Sequence, residues 1–175
     1  MTRGRIIKAM SGFYYVKPDS GERPDTPPKN PDGTYQCRAR GLFRKKKISP
    51  LVGDRVLFEV TDTDDVEGNV VEIGDRENFL IRPQVANVDQ ALVIFSFHTP
   101  EPALDLLDRF LIQMRMRDIR VILVFNKDDL GEPGEPERYK QIYKDAEVGI
   151  LFTSIIKGTG IEELRELLRG KITTV

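Results

Sequence analysis

From Ile119 to Phe125 the chain is apolar but for Arg120, and the run ends in Asn126-Lys127-Asp128-Asp129. A half-buried strand would alternate apolar and polar residues, and an amphipathic helix would repeat every three to four. A short β-branched run without alternation describes a strand covered on both faces, as in a parallel sheet flanked by helices. The polar tetrad then falls beyond the strand's carboxyl end, where open α/β sheets bind their ligands.

The surrounding pattern agrees with such a sheet. Gln90–Phe97 reads as a strand, and Pro102–Arg117 as an amphipathic helix carrying Leu104, Leu107, Phe110, Leu111 and Met114 on one face. After the loop Gly131–Pro136 come a helix over Glu137–Asp145, a strand over Val148–Thr153, a helix over Ile161–Leu168 and a strand over Ile172–Val175. This strand–helix alternation implies a parallel sheet with helices on its faces.

Before Pro83 the apolar runs are shorter. Strands are expected at Arg5–Val16, Thr34–Phe43, Arg55–Thr61 and Gly68–Ile73, with an extended piece at Phe79–Ile81. Lys17–Gly33, with five prolines and no large apolar residue, reads as a solvated loop between the first two. Five short strands suggest an OB-fold barrel, with an SH3-like barrel as the alternative. The expected organisation is therefore an all-β barrel at 1–83, followed at 84–175 by an incomplete α/β domain with a parallel sheet.

Composition excludes several classes of function. One cysteine, Cys37, and one histidine, His98, rule out an internal disulfide and a Cys/His zinc site, so no metal site is expected. The N-terminal MTRGRIIKAMSGF lacks a signal-length apolar run and nothing approaches a membrane span, so a cytoplasmic chain without membrane contact is expected. Lys plus Arg (27) nearly balance Asp plus Glu (28), but the distribution is uneven. Arg38, Arg40, Arg44, Lys45, Lys46 and Lys47 place six cations in ten residues, with no acid from Gln36 to Gly53. With Tyr14, Tyr15, Tyr35 and Phe43 on neighbouring strands, this run is a candidate RNA contact, since OB-folds combine a basic groove with stacking aromatics. The competing reading is a solvated turn with core aromatics; Phe13 and Phe58 are assigned to the core.

Asn-Lys-x-Asp suits guanine. The Asp129 carboxylate can accept hydrogen bonds from both the ring N1–H and the exocyclic amino group. Adenine offers neither in that arrangement, and an unpaired buried acceptor costs about 1–3 kcal/mol. Asn126 can bond the O6/N7 side, and the aliphatic stem of Lys127 can cover a ring face. One βα unit later, Ser154-Ile155-Ile156 follows a strand and precedes Lys157-Gly158-Thr159-Gly160. Ser154 and the backbone N–H of Ile155 are candidates for the O6 side. A polar turn without a ligand is the plainer alternative. No G-x-x-x-x-G-K-[ST] loop occurs in the sequence, and no catalytic residue is assigned. His98 is taken as structural with no partner suggested by spacing, Cys37 as a small buried residue, Asp62–Asp65 as a hairpin tip, and Asp105 and Asp108 as exposed helix positions.

GRIIKAMSGFYYV, CRARGLFRKKKISPLVGDRV and RENFLIRPQVANVDQALVIFS, with VFNKDDL and TSIIKGTGIEELRELLRGK, resemble the circularly permuted ribosome small subunit-dependent GTPases along essentially the whole chain. The resemblance implies an OB-fold docked on ribosomal RNA of the small subunit, and GTP hydrolysis as a late checkpoint in that subunit's maturation. It also implies that 84–175 is the first part of a P-loop NTPase-like, circularly permuted domain; a monomer is expected for the complete protein. In that family base recognition precedes the phosphate loop, the switches and a zinc-binding C-terminal domain. The phosphate loop would thus begin just after Ile172–Val175, and Mg2+ and zinc would belong to segments beyond it. On that order this chain alone should bind GTP or GDP weakly or not at all and should not hydrolyse it. One departure is Ser154-Ile155-Ile156, where the family pattern is Ser-Ala-Lys-like. The alternative function is a non-enzymatic RNA- or protein-binding module: an OB-fold with a partial α/β scaffold.

Overall fold

The computed structural model describes residues 1–175 apart from 23, 42, 44–47 and 64–65, and apart from the side chains of 62, 63, 66 and 67. The chain divides into two compact units, Met1–Asn87 and Val88–Val175.

In the first unit, β1 (Thr2–Met10), β2 (Phe13–Pro18), β3 (Tyr35–Ala39), β4 (Arg55–Thr63) and β5 (Val66–Ile73) close a barrel in the order β1-β2-β3-β5-β4. Within the barrel β3 and β5 pair in parallel, and β1–β2, β1–β4, β2–β3 and β4–β5 pair antiparallel. This is the OB-type barrel expected from the sequence, although two of its strands differ from expectation. Arg5–Val16 is a hairpin, not one strand: Ser11 and Gly12 both take positive φ (52° and 82°) and turn β1 into β2. Ser-Gly is a weaker turn signal than Asn-Gly or Asp-Gly, and apolar residues flank it on both sides. Lys17–Gly33 consequently lies between the second and third strands. Phe79–Leu80 (β6) stays out of the barrel and pairs with Val85–Ala86 (β7).

Alternation along the barrel strands buries one face of each. Ile6, Val16, Cys37, Phe58 and Val70 are fully enclosed, with Tyr35 beside them, each such side chain contributing about 1.5–3 kcal/mol of apolar transfer. The seam between β1 and β4 carries a charge. Asp54 is wholly buried, and its carboxylate accepts Arg76 Nε and Nη2 at 2.8 Å each and the Leu51 N–H at 2.7 Å. Arg76 Nη2 also donates to the Ser49 carbonyl at 2.8 Å. These hydrogen bonds to Asp54 raise the guanidinium pKa further above its ordinary value. A bidentate pair satisfies both ions in a site where either alone would be costly.

The second unit is a four-stranded parallel sheet in the order β10-β9-β8-β11, made of β8 (Gln90–Ser96), β9 (Arg120–Asn126), β10 (Gly149–Thr153) and β11 (Thr173–Thr174). The helices are α1 (Leu104–Arg115), α2 (Glu135–Ile142) and α3 (Ile161–Leu168). Helix α2 starts two residues before the expected Glu137, because Gly134 (φ 92°) caps it and Pro136 fits the first turn. All of Val121–Phe125 is buried, as a strand covered on both faces requires. Ile122 and Val124 pack with Leu92 and Leu151 under Leu164 and Leu167 of α3. On the other face, Phe125 stacks on Tyr139 of α2 with ring centroids 4.3 Å apart and on Phe152 at 5.6 Å, and Phe97 meets Tyr139 edge-on. Tyr143 Oη donates to Asp108 Oδ1 at 3.1 Å and ties α2 to α1. Among the described residues no helix is long and apolar enough to cross a membrane.

Candidate functional site

The aromatic stack fixes the carboxyl ends of β8, β9 and β10, and the polar loops begin there. Parallel register aligns Ser96, Asn126 and Thr153 in one row. By the two-residue period they share the α3 face with Leu92, Val124 and Leu151. Thr153 Oγ1 donates to Asn126 Oδ1 at 3.1 Å. With its oxygen engaged, Asn126 presents Nδ2, the donor that guanine O6 and N7 require. The hydroxyl of Ser96, next in the row, is buried without a hydrogen-bond partner.

Beyond Asn126 the backbone reverses. Lys127 adopts the left-handed region (φ 65°, ψ 39°), a conformation that strains a residue with a Cβ and must be held by its surroundings. Two contacts hold it: Lys127 Nζ donates to the Thr99 carbonyl at 2.6 Å, and the Leu130 N–H bonds the Lys127 carbonyl at 2.9 Å. The ammonium thus ties the loop after β9 to the loop after β8. The single 3-10 turn Asp128–Leu130 swings Asp129 towards β10, where Ser154 Oγ donates to Asp129 Oδ1 at 2.5 Å. The buried Ser154 is itself fixed by the Lys157 N–H on its Oγ (3.1 Å) and by its own N–H on the Thr159 carbonyl (3.1 Å). A carboxylate has four lone-pair directions, so one bond from Ser154 leaves Asp129 able to accept two more from a base.

The loop 154–159 closes on Gly160 (φ 69°), where an added Cβ would lie 2.2 Å from the Phe152 carbonyl oxygen. Only glycine fits this approach, and it sets the start of α3.

Of the five residues assigned to guanine, Asn126, Asp129 and Ser154 are drawn into one hydrogen-bonded corner. Lys127 braces it through Thr99. Ile155 projects into solvent, as does Ile156 (78% and 86% exposed). Thr99, Thr153 and Ser96 are participants that the sequence reading missed. Thr153 and Ser96 become visible once strands ending at the same level are aligned; nothing in the sequence marks the Thr99 carbonyl. His98 has a partner after all, with Nε2 2.9 Å from Glu135 Oε2.

On the barrel, Arg38 and Arg40 both reach the surface of β3 and its exit. The Arg38 guanidinium sits 5.0 Å over the Phe13 ring, and Arg40 is paired with Glu59. Arg44, Lys45, Lys46 and Lys47 lie outside the described residues, as do Asp64 and Asp65 of the expected hairpin tip. Tyr35 and Phe43 are core residues, whereas Phe13, assigned to the core from sequence, is half-buried and faces outward. Cys37 is buried as expected. Among the described residues no group of three or more His, Cys, Asp or Glu could hold a metal ion.

Two family models match the chain: RsgA N-terminal domain over residues 3–70, and RsgA GTPase over residues 73–175. The small ribosomal subunit biogenesis GTPase RsgA of Agathobacter rectalis is 46% identical over 173 residues, covering 98% of this chain and 57% of that protein. Its counterpart in Geobacillus kaustophilus is 43% identical over 178 residues, covering 100% and 56%. Among solved structures, YjeQ from Thermotoga maritima superposes with a TM-score of 0.79 at 28% identity, covering 98% of this chain and 58% of the other. YloQ, a circularly permuted GTPase, gives 0.75 at 37% identity, covering 99% and 58%. The chain thus spans little more than half the length of the relatives it matches.

Proposed function

The chain belongs to the RsgA GTPase family, and on that premise we propose that it carries the base-reading part of a guanine-nucleotide site in a factor that acts on the maturing small ribosomal subunit. The observation that carries this reading is the corner in which Thr153 orients Asn126 and Ser154 orients Asp129. It leaves a donor facing one edge of a purine and a carboxylate facing the next, the complement of guanine's O6, N1–H and amino group. Ser96 adds a buried hydroxyl that a ligand could satisfy.

Nucleotide hydrolysis belongs, on this reading, to the whole protein. Phosphate contacts supply most of the charge-assisted binding of a nucleotide, and the 175 residues hold no G-x-x-x-x-G-K-[ST] loop. On this reading Mg2+ and zinc belong to the whole protein as well, and no step is assigned to a metal here. The barrel, with Arg38 and the basic run Arg44–Lys47, contacts ribosomal RNA in the cytoplasm. The division of labour falls near 83: residues 1–83 for RNA, 84–175 for the base.

Displacement of a fluorescent guanosine diphosphate tests the nucleotide half. GDP should displace it and ADP should not, with affinity in the weak range expected of base contacts alone; equal displacement by ADP would end the reading. For the barrel, changing Arg44 and Lys45–Lys47 to Glu should weaken co-sedimentation with small subunits and flatten its salt dependence. Unchanged sedimentation would remove the basic run from the interface.

A further inference from the structure

We propose that the outer face of β1–β3 is a stacking surface for two unpaired RNA bases, with Phe13 and Tyr15 as its platforms. The proposal rests on the barrel being the RNA-contacting unit, and it adds the contacts to bases that a run of lysines cannot make.

The placement follows from register. Tyr14 and Val16 pair with Cys37 and Tyr35 and turn inward, so Phe13, Tyr15 and Lys17 of β2 turn outward. Pairing across the hairpin and onto β3 builds two rows, Met10–Phe13–Arg38 and Lys8–Tyr15–Gln36. Each ring carries a cation: Lys8 Nζ lies 4.9 Å from the Tyr15 centroid, and Arg38 Cζ 5.0 Å from that of Phe13. Neither row contains an acid. Tyr15 Oη donates to Gln36 Oε1 at 3.2 Å, which fixes the plane of its ring. Both aromatics remain half-exposed on the outside of a closed barrel.

Charge and spacing select the occupant. The core of a protein–protein interface is depleted of charge, whereas here the cations sit on the rings themselves. Aromatic rings and guanidinium planes are the surfaces on which unstacked bases lie, with neighbouring cations left for phosphate. Platforms at i and i+2 of a strand stand about 7 Å apart, roughly twice the 3.4 Å step between bases stacked in a duplex strand. Two bases stacked on each other cannot occupy both platforms, but two splayed bases of a single strand can. The Phe13–Arg38 row also borders a cavity of about 710 Å³ lined by Ser11, Gly12, Arg40 and Pro50, which is of a size for one nucleotide.

Binding of a fluorescein-labelled oligouridylate of about 12 nucleotides to the full chain, read by anisotropy over a salt series, tests the proposal. Phe13→Leu and Tyr15→Leu keep an apolar side chain on an outer face. Each should weaken binding about tenfold while leaving the slope of log K against log salt unchanged. Tyr15→Phe, which keeps the ring, should bind as the wild type does. A duplex RNA of the same length should be indifferent to all three changes. If the leucine variants bind the single strand as tightly as wild type while Lys45→Gln with Lys46→Gln lowers the salt slope, the stacking surface is overturned and the RNA reading stands. If the wild type binds neither RNA, both fall.

Discussion

In the α/β unit the polar groups of the candidate site lie within a few residues of three strand ends and already bond one another, Thr153 to Asn126 and Ser154 to Asp129. On the barrel, Lys8, Phe13, Tyr15 and Arg38 are spread over three strands and meet only because the strands pair in one register. The first site is organised by short loops braced from within. The second is a surface that any properly closed barrel displays. A preorganised corner suits a small planar ligand that must be distinguished from a near-isostere, because misplaced donors leave buried groups unpaired. A register-built face suits a polymer, which is tolerant of local error and gains from several weak contacts.

The units also differ in what holds them, and the largest expected effects expose that difference. Arg76→Ala should cost the barrel about 3–5 kcal/mol, since it strands the buried Asp54 carboxylate, and hydrogen exchange of the β1 and β4 amides should report the loss. A change below about 1 kcal/mol would mean that Asp54 finds other partners and that the seam does not depend on the pair. Gly160→Ala should cost the α/β unit about 3 kcal/mol, from a left-handed alanine and the contact with the Phe152 carbonyl. Because the Ser154–Thr159 bonds lie beside it, guanine binding should fall with stability. Intact nucleotide affinity in this variant would break the claim that loop 154–159 is preorganised.

Ser154→Ala is milder. The change removes two hydrogen bonds, Ser154 Oγ to the Asp129 carboxylate and the Lys157 N–H to Ser154 Oγ. Guanine binding should weaken by about 1.5–3 kcal/mol, and stability should fall by less, about 1 kcal/mol. Equal loss of both would make Ser154 a structural residue. The smallest effect concerns Tyr143. Burial first, then the neighbouring Asp108, pushes its phenol pKa well above the ordinary value. Its folded pKa is raised, so its contribution is complete below the unfolded value of about 10 and declines as pH rises through and beyond it. Thermal midpoints should therefore drop above that pH, and Tyr143→Phe should flatten the drop; an identical alkaline profile would assign the instability elsewhere.

The same contrast explains how much the sequence disclosed. Val121–Phe125 followed by Asn-Lys-x-Asp is contiguous, so strand, sheet type and the polar loop at the strand's end could be read together. Helix α3 matched its expected limits, Ile161–Leu168, because its apolar period is clean and Gly160 marks its start. What failed was information carried by pairing. The Ser11–Gly12 turn divides what reads as one strand, and without the register the outward position of Phe13 is not visible in the sequence. Thr153 and Ser96 escaped notice for the same reason: each is unremarkable in its own segment and meaningful only beside Asn126.

The central claim is that Asp129 reads the N1–H and amino edge of guanine. It is tested most directly by 15N-correlation spectra of the chain titrated to millimolar guanosine, adenosine and xanthosine monophosphates. Guanosine monophosphate should shift the amides of 126–131 and 154–160, and adenosine monophosphate should not. Asp129→Asn should lose the guanine response and gain one to xanthine, whose C2 oxygen accepts where guanine donates. Shifts that are the same for guanine and adenine, or that survive Asp129→Asn unchanged, would contradict the account.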